Sequence, residues 1–342
     1  MDSEPYRDDH SPASLGGGGD REARAERAIV ISPRKSGTHL VQRLMALLDY
    51  GIYGEPVPST EGRAAFSLRE RLELAERYLA PEELADLDVK RDTKEFVRRT
   101  DLLLVQLGWI WQVRLAARNL SHVEVSHPDV DFELRMKEDA WRRPFWQTPP
   151  RLCWIFHSVD IWRMDPKFLN EWTTTGRPAM FLNYRDPRDA LVSTVNFFAG
   201  AGGLTFRRFP ESAVFRPIME SIPDLPGRIT YALRDPALPL LSDYESAISL
   251  FHHPSVGKVA FEDLVGPDGG GSRARQVETV ERVADRLGHD VDAAAIAAKL
   301  FDRGSFTFHK GEIGSWRKVF TRQHEELFNA RFGHLLEIFG YE

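Results

Sequence analysis

Cysteine is nearly absent. The 342 residues include one, Cys153, which excludes an intrachain disulfide framework and a cysteine-rich zinc site. It lies in the apolar run Leu152–Cys153–Trp154–Ile155–Phe156, where it reads as a small buried hydrophobe rather than a nucleophile. The chain also lacks any apolar stretch of the roughly 18 residues that a membrane helix needs. Its N-terminal segment is acidic and polar, so neither a membrane span nor a signal peptide is expected, and the expected setting is reducing and cytoplasmic. A surplus of positive charge is missing too. The net charge is −6, so the overall balance calls for no nucleic acid or other polyanion, and any anion site has to be local.

What is present suits a folded domain. Hydrophobic residues make up 42% and charged residues 28%, proportions that allow a sizeable core and a deep ligand pocket. Residues 1–26 are the exception, with scattered acids, the Gly16–Gly19 run and few apolar groups; a disordered tail is expected there. Residues 27–342 are expected to form a single domain. Arg27–Ile31 reads as a buried strand, and apolar positions from His39 to Leu48 recur at helical spacing, with Gly51 as the stop. Helix signals follow at Leu72–Leu79, Pro81–Asp86 and Leu102–Leu115. Further strands are expected over Leu152–Phe156, Ala179–Tyr184 and Gly257–Phe261. Gly266–Gly271 reads as a flexible surface loop, after which a helical pattern resumes over Val277–Leu287. Strands separated by helices predict an α/β fold, a central parallel β-sheet flanked by helices on both faces.

Three segments carry chemistry. Ser32–Pro33–Arg34–Lys35–Ser36–Gly37–Thr38 joins the first strand to a helix. Unpaired amides and the helix dipole at such a junction attract anions; Gly37 permits close approach, Lys35 is a mobile cation, and Ser36 and Thr38 bring hydroxyls. The lysine precedes the glycine, so the nucleotide-triphosphatase pattern is a poor match. Arg185 ends a second strand, with Ser193 eight residues on; a guanidinium fork and a hydroxyl together suit a phosphate. Asp186 and Asp189 are expected to neutralise Arg188 and cap the following helix. Phe308–Lys318 gathers two glycines, Trp316 and the basic groups His309, Lys310, Arg317 and Lys318. Each segment also has a plain structural reading as a polar turn or a solvated loop.

Together, and over most of residues 28–342, they resemble the cytosolic-type sulfotransferase family, which uses 3′-phosphoadenosine 5′-phosphosulfate. That family's PKSGTTW-like loop is matched by Pro33, Lys35, Ser36, Gly37 and Thr38, with Arg34 inserted. Its RNPKDxxxS-like segment is matched by Arg185, Asp186, Pro187, Arg188, Asp189 and Ser193. Its RKGxxGDW segment is matched by His309, Lys310, Gly311, Gly314, Ser315 and Trp316. The resemblance implies a P-loop-like sulfotransferase fold, O-sulfation of a small-molecule hydroxyl without a metal, and Lys35, His157 and Ser193 as catalytic residues. His157 stands where the family's KTH-like triplet places its base, with His127 and His39 as rivals. Arg34, Lys35, Ser36, Gly37, Thr38 and His39 would contact the donor near its 5′ end. Arg185, Ser193, Phe261, His309, Lys310 and Gly311 would contact its nucleotide part. The chain departs from the pattern at Ile155, where the triplet has lysine; at Leu40, where the loop has its adenine-stacking tryptophan; and at His309, where the family has arginine. The family's dimer signature survives only as Arg317, Thr321, Arg322 and Glu326, leaving monomer and homodimer both open.

Acceptor-site elements are expected in about 60–150 and 197–250. Trp109, Trp111, Trp141, Trp146 and the region Phe197–Tyr231 would suit an apolar alcohol, phenol or glycosylated natural product; core packing accounts for the same aromatics. A P-loop kinase and a non-catalytic nucleotide-binding module are the alternative classes.

Overall fold

The computed structural model describes residues 24–53, 68–86, 93–117, 138, 141–201, 210–300 and 312–342. Five strands form one parallel sheet: β1 (Arg27–Ile31), β2 (Gly51–Tyr53), β3 (Leu152–Phe156), β4 (Ala179–Tyr184) and β5 (Val256–Ala260), in the spatial order β2-β3-β1-β4-β5. β1, β3 and β4 fall where the sequence predicts them. β5 starts one residue earlier than expected and also ends one earlier, because Phe261 already opens a helical turn (Phe261–Leu264). Gly51 does not merely stop a helix. It begins the short β2, which the sequence pattern missed because three residues carry no readable alternation.

The central strands are buried on both faces, so they read as continuous apolar runs rather than alternating ones. Alternate side chains still feed two different cores. Ile29, Ile31, Leu152, Trp154, Phe156, Met180 and Leu182 belong to one, together with Trp111, Phe145, Phe168, Tyr244 and Phe328. Ala28, Val30, Cys153, Ile155, Ala179 and Phe181 belong to the other, with Val41, Leu44, Met45, Val280 and Val283. Cys153 is fully enclosed, and burial pushes its thiol pKa up, which keeps it protonated and inert.

Helices cover both faces. In chain order they are α1 (Thr38–Leu47), α2 (Leu68–Tyr78), α3 (Pro81–Asp86), α4 (Thr93–Arg114), α5 (Pro166–Thr175), α6 (Pro187–Asn196), α7 (Pro210–Ser221), α8 (Leu225–Arg234), α9 (Leu241–His252), α10 (Phe261–Leu264), α11 (Arg273–Arg286), α12 (Ala293–Leu300) and α13 (Arg322–Phe339). Several starts are written locally. Asp186 accepts from the Arg188 amide with Pro187 at the first helical position of α6, and Thr321 and His324 form a reciprocal capping box on α13. Arg322 pairs with Glu326 one turn on at 2.9 Å, so this remnant of the dimer signature has intrachain partners.

The glycine-rich segment 266–271 is folded rather than loose. Pro267–Gly269 makes a 3-10 turn, Gly269 is buried, the Gly271 amide donates to Gly266, and the Gly269 carbonyl accepts from Ile313. A side chain on Gly266 would collide with Gln276. Composition suggested looseness, whereas this close backbone packing is what needs the glycines.

Candidate functional site

The register brings the functional candidates to one edge. Ile31 lies opposite both Phe156 and Leu182, and Tyr184 lies opposite Ala260. The next residues out are therefore Ser32, His157, Asn183, Arg185 and Phe261, all at the carboxyl ends of the strands. β1 sits between β3 and β4, so the chain reverses its direction of travel across the sheet there. That is where open α/β sheets form a ligand crevice.

Apart from Arg34, the loop from Ser32 to Thr38 is tied down by neutral groups. Ser32 and Thr38 share a hydroxyl hydrogen bond of 2.8 Å across the loop. Asn183, 1% exposed, donates from Nδ2 to Ser32 Oγ at 2.8 Å and to the Ser36 carbonyl at 3.1 Å. Ser36 Oγ donates to the Pro33 carbonyl at 2.6 Å, so the Tyr244 hydroxyl, 3.1 Å away, donates to Ser36. Gly37 has φ 91°, and a Cβ there would overlap the Phe261 ring, so glycine is required twice over. The amides of Gly37, Thr38 and His39 at the head of α1 make no backbone hydrogen bond among the described residues, leaving the donor set that helix N-termini offer to anions.

The two loop cations have opposite surroundings. Arg34 reaches Asp243 at 3.1 Å and Glu211 at 2.5 Å, so its charge is neutralised by α9 and α7. Lys35 adopts φ 62°, and its ammonium stands 4.7 Å from the centre of the Phe197 ring. No carboxylate pairs with it among the described residues. Burial, helped by the charge of Arg185, pulls its pKa from 10.5 to about 8. His39, exposed on α1, contacts Gln42 at 3.0 Å.

His157 is half-buried at the end of β3, and its Nδ1 lies 3.0 Å from the Ser32 carbonyl. A carbonyl only accepts, so Nδ1 carries the hydrogen and the basic lone pair of the neutral ring is on Nε2. The neighbouring Ser158 is fixed by Ser246 at 2.8 Å.

Across β1, the β4 loop is built from charges. Asp186 binds Arg188 through its side chain at 2.8 Å as well as through the amide, and Arg188 lies 3.9 Å from the Trp316 ring and donates to the Glu342 carbonyl. Asp189, expected to neutralise Arg188, instead faces the C-terminal loop and accepts from Gly314, Ser315 and Trp316. Arg185 is 7% exposed. It stacks 4.3 Å from the centre of the Phe261 ring and donates to the Glu312 carbonyl at 2.7 Å, while its Nε is buried without an acceptor among the described residues. Glu262 accepts from the Asp186 amide and from Tyr341, and burial holds its carboxyl above the ordinary range. Ser193 lies on α6, half-buried.

The structure thus gathers Lys35, Ser36, Gly37, Thr38, His157, Arg185 and Phe261 at one crevice. His309, Lys310, Gly311 and His127 lie outside the described residues. Among the expected acceptor aromatics, Trp111 is core, stacked edge-on with Phe145 at 4.7 Å, while Trp141 and Trp146 are exposed; the Trp109 side chain is outside the description. Sequence reasoning missed Asn183, Tyr244 and Asp243. Asn183 was the findable one, a polar residue within an otherwise apolar strand.

No protein-family model matches the chain, and no curated protein matches it in sequence. Solved structures similar to it include retinol dehydratase in complex with androsterone and the inactive cofactor PAP, at TM-score 0.45 and 17% identity, covering 92% of this chain and 82% of that one. Retinol dehydratase in a complex with retinol and PAP is similar at TM-score 0.43 and 16% identity, with the same coverage. Among the described residues, no helix is long and apolar enough to cross a membrane, and no group of three or more His, Cys, Asp or Glu could hold a metal ion.

Proposed function

We propose that this protein is a sulfotransferase that moves a sulfuryl group from 3′-phosphoadenosine 5′-phosphosulfate to the hydroxyl of a small-molecule acceptor. The observation that carries the reading is the meeting, at one strand-edge crevice, of a loop lysine and a buried arginine Nε that have no acceptor among the described residues with an oriented imidazole. That residue set fits a bisphosphorylated donor. The α1 amides and Lys35 would hold its 5′ end. Arg185 and Ser193 would hold the 3′-phosphate, with Lys310 and Gly311 joining them on the strength of the family resemblance. The donor, when bound, supplies an activated sulfuryl group.

The chain's own residues do the rest. His157 Nε2 accepts the acceptor hydroxyl's proton as its oxygen attacks sulfur. Lys35 places positive charge where the bridging oxygen of the leaving nucleotide becomes anionic. Charge stabilisation of this kind, in a site shielded from water, is the main catalytic contribution in transfers between oxyanions. The Phe197 ring beside Lys35 gives the acceptor side an apolar wall.

Incubation with sulfur-labelled donor and pooled phenols, sterols, sugars and secondary metabolites, followed by mass spectrometry, tests this. Labelled sulfate ester and free adenosine 3′,5′-bisphosphate are expected. Bisphosphate binding without transfer across the panel would leave a non-catalytic nucleotide-binding protein. Magnesium-dependent ATP consumption would make it a kinase.

A further inference from the structure

Asp189, the third residue of α6, is 1% exposed. Its Oδ2 accepts from the Gly314 amide at 2.7 Å, and its Oδ1 accepts from Ser315 Oγ at 2.7 Å and the Trp316 amide at 2.8 Å. The same carboxylate stands 3.6 Å from Arg185, which in turn donates to the Glu312 carbonyl at 2.7 Å. These contacts close a ring through α6, the end of β4 and the turn at Gly314, where φ is 72°. Carboxylate bonds to amides and hydroxyls are among the stronger hydrogen bonds, so three of them fix where this turn sits relative to Arg185.

A buried carboxylate in that position has two opposite effects on a bound phosphate. It repels the anion and dilutes the charge of Arg185. It also holds Arg185 and the C-terminal turn in one arrangement, with the Arg185 Nε hydrogen unpaired among the described residues. Resting on the function proposed above, we infer that the second effect dominates and that Asp189 is a positioning residue for the 3′-phosphate grip. It docks the C-terminal loop onto Arg185 and so sets the preference for a 3′-phosphorylated nucleotide.

The two effects predict opposite signs, which makes the substitution Asp189→Asn informative. The full-length chain is titrated calorimetrically with adenosine 3′,5′-bisphosphate and, separately, with adenosine 5′-phosphate. Asp189→Asn is expected to weaken the bisphosphate about tenfold or more, since it loses strong bonds to the turn. The monophosphate should change by less than about twofold. In turnover assays KM for the donor rises while kcat at saturation holds. Unchanged or tighter bisphosphate binding would overturn the assignment, as would an equal loss for both nucleotides. Should Asp189→Asn fail to fold, Ser315→Ala removes one bond and leaves the charge in place. It is expected to show the same selective loss at about threefold, and the absence of any selectivity there would equally overturn the role. A wild-type chain that binds the two nucleotides alike would instead remove the functional reading on which the inference stands.

Discussion

The two sides of the crevice are held together by different chemistry. Around β1 and β3, apart from the Arg34 ion pairs, the ties are neutral: Ser32 to Thr38, Asn183 to the loop, Tyr244 to Ser36, His157 to a carbonyl. Around β4, β5 and the C-terminal turn they centre on carboxylates, as ion pairs or charge-assisted bonds: Asp186 with Arg188, Asp189 with Arg185 and three loop donors, Glu262 with Tyr341. The contrast is sharpest between neighbours. Arg34 is neutralised by two carboxylates, whereas Lys35 meets an aromatic face and another cation. A carboxylate beside Lys35 would raise its pKa and spend its charge inside the protein. Neutral scaffolding keeps that charge for a ligand, and the side that only has to grip tolerates internal pairing.

The division predicts that changes on the neutral side strike turnover and changes on the carboxylate-rich side strike affinity. His157→Ala gives the largest expected effect, a fall in kcat of about 10²–10⁴-fold with adenosine 3′,5′-bisphosphate affinity retained. Near wild-type transfer at neutral pH would move the base elsewhere. Lys35→Ala comes next, with kcat down about 10²–10³-fold and a smaller change in donor binding; steady-state and binding measurements on one preparation separate the two.

The same lysine predicts a pH limb. In the free protein its ammonium deprotonates near pH 8 rather than 10.5, so kcat/KM for the donor should fall as pH rises through about 8. Lys35→Arg, whose guanidinium stays charged, should push that limb upward; an unmoved limb assigns it to another group. For stability the sign is reversed. Between about pH 8 and 10.5 the unfolded chain holds a proton that the folded chain has released. The unliganded protein therefore gains stability from this group as pH rises across that window. Smallest is Gly37→Ala. A left-handed residue against the Phe261 ring should lose about 2 kcal/mol in denaturant unfolding and weaken the anion site, and wild-type stability would contradict the crowding there.

Legibility followed locality. β1, β3 and β4 were readable because strands buried on both faces leave uninterrupted apolar runs, and Asp186 was readable as a cap because capping spans only two residues. Asp189 was misassigned to Arg188, since sequence proximity suggests a partner. Its partners are Arg185, one helical turn back, and three loop donors 125–127 residues away. Tyr244 was invisible as a loop tie for the same reason, and Asn183 showed only its polarity within an apolar strand, not the loop 147–151 residues away that it holds.

The amino-acid sequence by itself determined the strand-loop-helix that presents Lys35, Ser36, Gly37 and Thr38, and the second loop that presents Arg185, because periodicity, glycine and capping act over a few residues. Only the tertiary structure decided which cations stay available. Pairing Arg34 with Asp243 and Glu211, leaving Lys35 over Phe197, and turning His157 Nδ1 to the Ser32 carbonyl all depend on sheet order and register. Electrostatic fate is a property of three-dimensional neighbours, and no local pattern encodes it.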